Sequence, residues 1–394
     1  MRIHPTTRAV HWVIASLLIW IPGADAATPY LPNSAESIVA RLGPVIVDSR
    51  VTRQGPAEDI TQAREEALAY IEHGKRSGDA RYFGYALGIL LQWQDTDPYP
   101  EALRLPMAMA QQALHRFDMA LDNLQIHLAR QADDIQAWLT QAVIKQVQGD
   151  YPAARSSCEQ LLGRASTLVV VTCTTGTERY TIHAATAYRA LRSAIENATA
   201  ADSDTLGWSL LVLAELAEIN ADVSIAEKTL YTALQRGGND TRPLTSLADL
   251  LLRQGNSRAL LTLIAPDNPL PALRLRRLLA LQQAGDQVDE TQLAWLRHHF
   301  AAGERRERPL HQRDAAIASL YLFDDPQRAL DLALSNWEDQ REFADIEILL
   351  SAALVSGNRT RVRAQLAWLD EMQVMDPRLD RLRHAMLEDH DDVF

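Results

Sequence analysis

Histidine, cysteine and carboxylate side chains are the usual carriers of chemistry, and in this chain their spacing is poor for it. His298 and His299 are adjacent, so on a helix they point to different sides and do not converge on one metal ion. Asp389-His390-Asp391-Asp392 falls in an acidic tail, 389–394, which reads as solvated chain rather than a cation site. The sequence contains no Gly-x-x-x-x-Gly-Lys, His-Glu-x-x-His, Gly-x-Ser-x-Gly or dinucleotide fingerprint, the patterns that would place a phosphate, a zinc ion or a nucleophile. Asn197-Ala198-Thr199 matches a glycosylation acceptor, a triplet common by chance. The expectation is no catalytic residue, no metal and no cofactor: a chain that is not an enzyme. Two cysteines remain, Cys158 and Cys173, with rows of polar and aromatic residues whose use depends on the elements that place them.

Those elements are clearest from Trp138 to Leu161, WLTQAVIKQVQGDYPAARSSCEQL. Two amphipathic helical patterns are split by Gly149-Asp150-Tyr151-Pro152. Glycine stops the first pattern, aspartate caps the second, and proline sits in its first turn, where its missing N–H costs nothing. Phe117, Ala108 and Ala120 lie 34 residues before Tyr151, Ala142 and Ala154. Forward from Ala154, the small or apolar anchor of the second helix is expected at Ala187, Ala226, Leu260, Ala294, Ala329 and about Arg363, with one long step over the polar run 198–204. A period of this length marks a stack of helix pairs, which grows without a single central core.

The 34-residue helix-turn-helix period, with Trp138, Ala142, Gly149, Tyr151 and Ala154 in order, resembles the tetratricopeptide repeat (TPR). The resemblance covers most of the chain. It implies an all-α fold, a right-handed α-solenoid of stacked repeats, with about nine helical pairs over 57–388 including a C-terminal capping helix. Narrower stretches, DDPQRALDLALSNWEDQREFADIEILLSAAL (324–354), RYFGYALGILLQW (81–93) and the series Trp295, His299, Phe300, His311, Arg313, Asp314, are similar to a group of exported bacterial repeat proteins. That likeness implies a surface near the C-terminal repeats and no reaction.

The N-terminus reads as a secretory signal over 1–26. Arg2 and Arg8 precede the ten-residue apolar run Trp12–Ile21, then Pro22-Gly23, then Ala24-Asp25-Ala26. Such a run is short for a membrane span, and cleavage is expected after Ala26; an uncleaved anchor is the alternative. A lead-in or linker follows over 27–56. The mature chain is expected in the periplasm or secreted, with no stable membrane span. The net charge of −12 argues against nucleic acid as a partner. Only three of the 39 basic residues are lysine (Lys75, Lys145, Lys228), a bias assigned to genome composition.

Export gives the cysteines a context. Cys158 falls on the second helix of one repeat and Cys173 on the first helix of the next, faces that meet in a stack, so a disulfide is expected; two separate buried thiols are the alternative. Cys173 closes the run Thr167-Leu-Val-Val-Val-Thr, whose β-branched residues prefer strand. Packing and the disulfide would have to hold it helical. Trp138, Tyr151, Phe117 and Trp337 fall at packing positions. The 34-residue step places Trp208, Glu215, Arg242, Asp249, Arg276, Gln283, His311, Asp314 and Tyr321 on the inner wall of the stack, with Leu105, Met109, Leu139, Val143 and Val147 at its apolar end. Arginine clamps carboxylates, and tryptophan and tyrosine supply contact area. The function expected is a non-catalytic scaffold binding a protein or peptide partner in a concave groove. The second reading is an accessory or regulatory subunit of an envelope enzyme or polysaccharide-export complex. Homo-oligomers are compatible with the apolar faces that terminal repeats expose.

Overall fold

The computed structural model describes residues 59–198, 201–236, 240–304 and 310–387. The expected signal segment, the whole lead-in, the acidic tail and Thr199 of the acceptor triplet lie outside the described residues. Among the described residues there are nineteen α-helices and no strand.

The helices come in pairs. α1 (Ile60–Ser77) is followed by α2 (Arg81–Leu91), α3 (Arg104–Ala113) by α4 (Phe117–Leu128), α5 (Ile135–Val147) by α6 (Tyr151–Glu159), and α7 (Thr167–Glu178) by α8 (Ala184–Glu196). Next come α9 (Ser203–Ile219) with α10 (Val223–Arg236), α11 (Arg242–Arg253) with α12 (Ser257–Leu263), and α13 (Pro271–Gln283) with α14 (Glu290–Glu304). The last pairs are α15 (Gln312–Tyr321) with α16 (Pro326–Asp339) and α17 (Phe343–Val355) with α18 (Arg363–Glu371), and α19 (Pro377–Leu387) follows them. From α2 to α16 the second helices start 36, 34, 33, 39, 34, 33 and 36 residues apart. Neighbouring pairs stack through their first helices, as α7 does on α9, α11 on α13 and α15 on α17.

Local chemistry explains the pairs. Gly149 ends α5 with φ 75°, and the Asp150 carboxylate accepts from the Ala153 N–H at 3.2 Å to start α6. The anchors Ala154, Ala187, Ala226, Leu260 and Ala329 are buried. Two expected anchors are off by one residue: Ala294 and Arg363 are exposed, while Leu293 and Val362 are buried. An apolar side chain takes the inward position wherever one is within a residue of the mean step.

α7 is helical against its own composition. Eight of its twelve residues are β-branched, and Thr174 and Thr175 donate back to the Val170 and Val171 carbonyls, which weakens a helix further. It is held from outside. The Cys158 and Cys173 sulfurs are 2.04 Å apart, with Cα atoms at 5.6 Å. Thr172 shares a 2.7 Å hydrogen bond with Ser209 of α9, and the Gln146 side chain donates to the Cys173 carbonyl at 3.4 Å.

α17 is buried nearly all round. Phe343, Asp345, Ile346 and every residue from Ile348 to Ala353 are inaccessible, as expected of a helix with apolar residues on every face. It begins with a capping box in which Glu342 and Asp345 each bond the other's backbone. Its core is shared with Tyr180, Val212, Leu213 and Leu216 of the α7–α9 region, more than a hundred residues earlier in the chain. The coil therefore does not stay open: later pairs pack onto earlier ones.

Candidate functional site

The seam between earlier and later pairs can be followed along the chain. The Thr241 N–H donates to the Arg76 carbonyl at 3.2 Å, and a Cβ built at Gly78 would meet Thr241 Oγ1 at 2.7 Å. Gln340 reaches His115 Nδ1 at 3.2 Å. Burial, then the charges of Arg313 and His311, pushes the His115 imidazole down to about 4. Arg341 donates its backbone N–H to the Val147 carbonyl at 2.8 Å and its guanidinium to the Gln148 carbonyl at 2.9 Å, satisfying the open C-terminus of α5. Trp368 lies over Gly149 so closely that a Cβ there would collide with the indole.

Arg179 and Tyr180, just past the end of α7, are the hub of the seam. The Tyr180 hydroxyl donates to Glu215 and accepts from the Phe343 N–H at 3.4 Å. Its carbonyl accepts from the Met375 N–H at 2.8 Å. Arg179 faces Glu215 at 3.2 Å and Glu342 at 3.5 Å. Arg313 holds Glu342 at 2.9 Å and Asp345 at 2.5 Å, and Asn336 donates to Asp345 at 2.7 Å. Burial would raise the Glu342 carboxyl, but Arg313 and Arg179 outweigh it and the pKa is lowered. For Asp345 burial prevails and the pKa is raised. Arg378 lies 3.7 Å over the Phe343 ring and 3.6 Å from Glu218, and Arg253 meets the same carboxylate at 2.6 Å.

The nine positions expected to face a partner divide into three groups. Glu215, Asp249, Arg276 and Asp314 face the chain itself. Glu215 is held by Tyr180 and Arg179. Arg276 is buried between Asp249 at 2.8 Å and Asp314 at 2.7 Å. Burial alone would lower the Arg276 pKa, but the two carboxylates reverse this and raise it. Burial would likewise raise Asp314, and Arg276 brings it down. Trp208 is half-buried against the core. Arg242, Gln283, His311 and Tyr321 are exposed. Of these, Arg242 pairs with Asp240 at 2.7 Å, and Gln283 accepts from the Ser257 hydroxyl at 2.5 Å. His311, Arg313 and Asp314 are close in sequence, but Arg313 and Asp314 bond to different helices, and His311 turns at φ 66°. Phe117, Tyr151 and Trp337 are buried in the core, and Trp138 is half-buried with its indole N–H on the Ala132 carbonyl at 2.8 Å. Sequence reasoning missed Arg179, Tyr180, Arg341, Trp368 and Arg378. Their partners across the seam lie some 160 to 220 residues away, and no local pattern announces them.

The fold and this seam define an all-α solenoid of stacked helix pairs whose inner charges close on one another. No protein-family model matches the chain, and no curated protein matches it. Among solved structures the chain is similar to the crystal structure of the P58(IPK) TPR domain, at 14% identity and a TM-score of 0.24, covering 82% of this chain and 97% of that one. At that score nothing is carried over from the neighbour, and the class rests on the helix pairing of the chain itself.

Proposed function

We propose that the chain is an exported, non-catalytic scaffold that binds a protein or peptide partner. The observation that supports this reading is the run of nine stacked helix pairs among the described residues, an architecture that repeats the same surface positions from pair to pair. The partner surface is drawn to the members of the inner row that remain exposed, Arg242, Gln283, His311 and Tyr321, because Glu215, Asp249, Arg276 and Asp314 already satisfy one another or the hub. Export is supported by the apolar run Trp12–Ile21 before Ala24-Asp25-Ala26 and by the paired cysteines, which persist in oxidising compartments. Among the described residues no helix is long and apolar enough to cross a membrane.

The test is a cross-linked pull-down from envelope extract with residues 27–394, beside a variant carrying Arg242→Glu and Tyr321→Ala. The expected result is one partner held by the wild type and lost by a variant of unchanged melting temperature. A partner held equally by both would overturn the placement. Turnover of a substrate by the purified chain alone would overturn the non-catalytic reading.

A further inference from the structure

We infer that the Cys158–Cys173 bond is a redox lock that acts through α7 to hold the later helix pairs closed on the earlier ones. Three observations join. The bond ties α6 to the middle of α7, with both sulfurs buried. α7 carries eight β-branched residues of twelve and a glycine, Gly176, so its helical form depends on what holds it rather than on propensity. Two turns beyond Cys173 the same helix delivers the hub: Arg179 on Glu342, and Tyr180 on Phe343 and Met375. The disulfide therefore fixes a weak helix, and the weak helix positions the residues that bind the second half of the chain.

The reaction is thiol–disulfide exchange with a dithiol reductant. One thiolate of the reductant attacks a sulfur of the pair, the S–S bond breaks, and a mixed disulfide forms. The second thiol of the reductant resolves it. Two electrons and two protons pass to the chain, leaving Cys158 and Cys173 as thiols and the reductant as a disulfide. With the link gone, the Thr172–Ser209 and Gln146–Cys173 hydrogen bonds and the Arg155–Glu178 ion pair at 3.0 Å remain on α7. Fraying of α7 then moves Arg179 and Tyr180 out of register with 337–378: Glu342 loses Arg179 across the seam and keeps Arg313, and Glu215 loses both Arg179 and Tyr180.

Native-state hydrogen exchange on the full chain tests this, oxidised and after treatment with a dithiol. Reduction is expected to speed exchange in 167–180 roughly a hundredfold, the loop-closure contribution of a link spanning about 15 residues. Exchange in 337–378 should rise with it, while 242–283 stays protected. Cys158→Ala with Cys173→Ala should reproduce the reduced pattern. Tyr180→Phe, which spares the disulfide, should speed 337–378 and leave 167–178 as in the wild type. Unchanged protection of 337–378 after reduction would overturn the lock. So would a loss of protection in all segments together, since the bond would then hold the whole chain and not α7. Equal exchange of Tyr180→Phe and wild type in 337–378 would remove the hub from the argument and with it the proposal.

Discussion

At the scale of single residues, the inner charges are a closed account. Arg276 sits between Asp249 and Asp314, and Glu342 between Arg179 and Arg313. A substitution such as Arg276→Glu would put three carboxylates together in a buried place, so it probes stability and not binding. The same pairs set a pH dependence. Glu342 and Asp314 are held below their ordinary values in the folded chain. Their contribution is therefore complete above the unfolded carboxylate pKa near 4 and is lost as pH falls through the lower folded values. Asp345, raised by burial, acts in the opposite sense and softens the loss. Thermal melts from pH 5 to pH 2.5 are expected to show a falling midpoint. In an Arg313→Met variant, where Glu342 loses its nearest cation, the fall should begin at higher pH.

At the scale of elements, helices and their pairing were legible because their causes are local. Gly149-Asp150-Tyr151-Pro152 contains a stop, a cap and a start within four residues, and the structure uses each. The step failed by one residue at Leu293 and Val362, where the apolar side chain and not the mean period sets the register. α7 was readable as an anomaly but not as a helix from its own residues, since its reasons lie on α5, α6 and α9. Glycines offer a contrast that separates local from distant causes. Gly149 has φ 75° and Trp368 at its open side. Gly84 lies within α2 with open space where a Cβ would sit. Gly149→Ala is expected to cost about 2 kcal/mol or more, from the left-handed backbone and the displaced indole. Gly84→Ala should instead stabilise by about 0.5–1 kcal/mol. Urea titrations of both variants would check the opposite signs.

At the scale of the whole molecule, the seam changes how the solenoid behaves. Open repeat arrays are held by nearest neighbours and can unfold piecewise. Here Tyr180, Arg341, Trp368 and Arg378 join pairs that are far apart in sequence, so the described pairs are expected to unfold together. A single urea transition, coincident by circular dichroism and tryptophan fluorescence, is the expected outcome for the oxidised chain. Arg378→Ala with Trp368→Ala should split it in two, and a wild type that already unfolds in separate steps would refute the coupling. None of this was legible in the sequence. The 34-residue period carries each residue's place within a pair, but not the tightness of the coil that decides which distant pairs touch.

The seam also limits how such a chain can change its length. An open array accepts an extra helix pair anywhere, since only two new joints must fit. In this chain one inserted pair between α9 and α15 would carry Gln340, Arg341 and Trp368 one place along the coil, away from His115, the α5 C-terminus and Gly149 at once. Duplication or loss of a repeat is thus penalised at every crossing contact together, and the number of pairs becomes part of the fold.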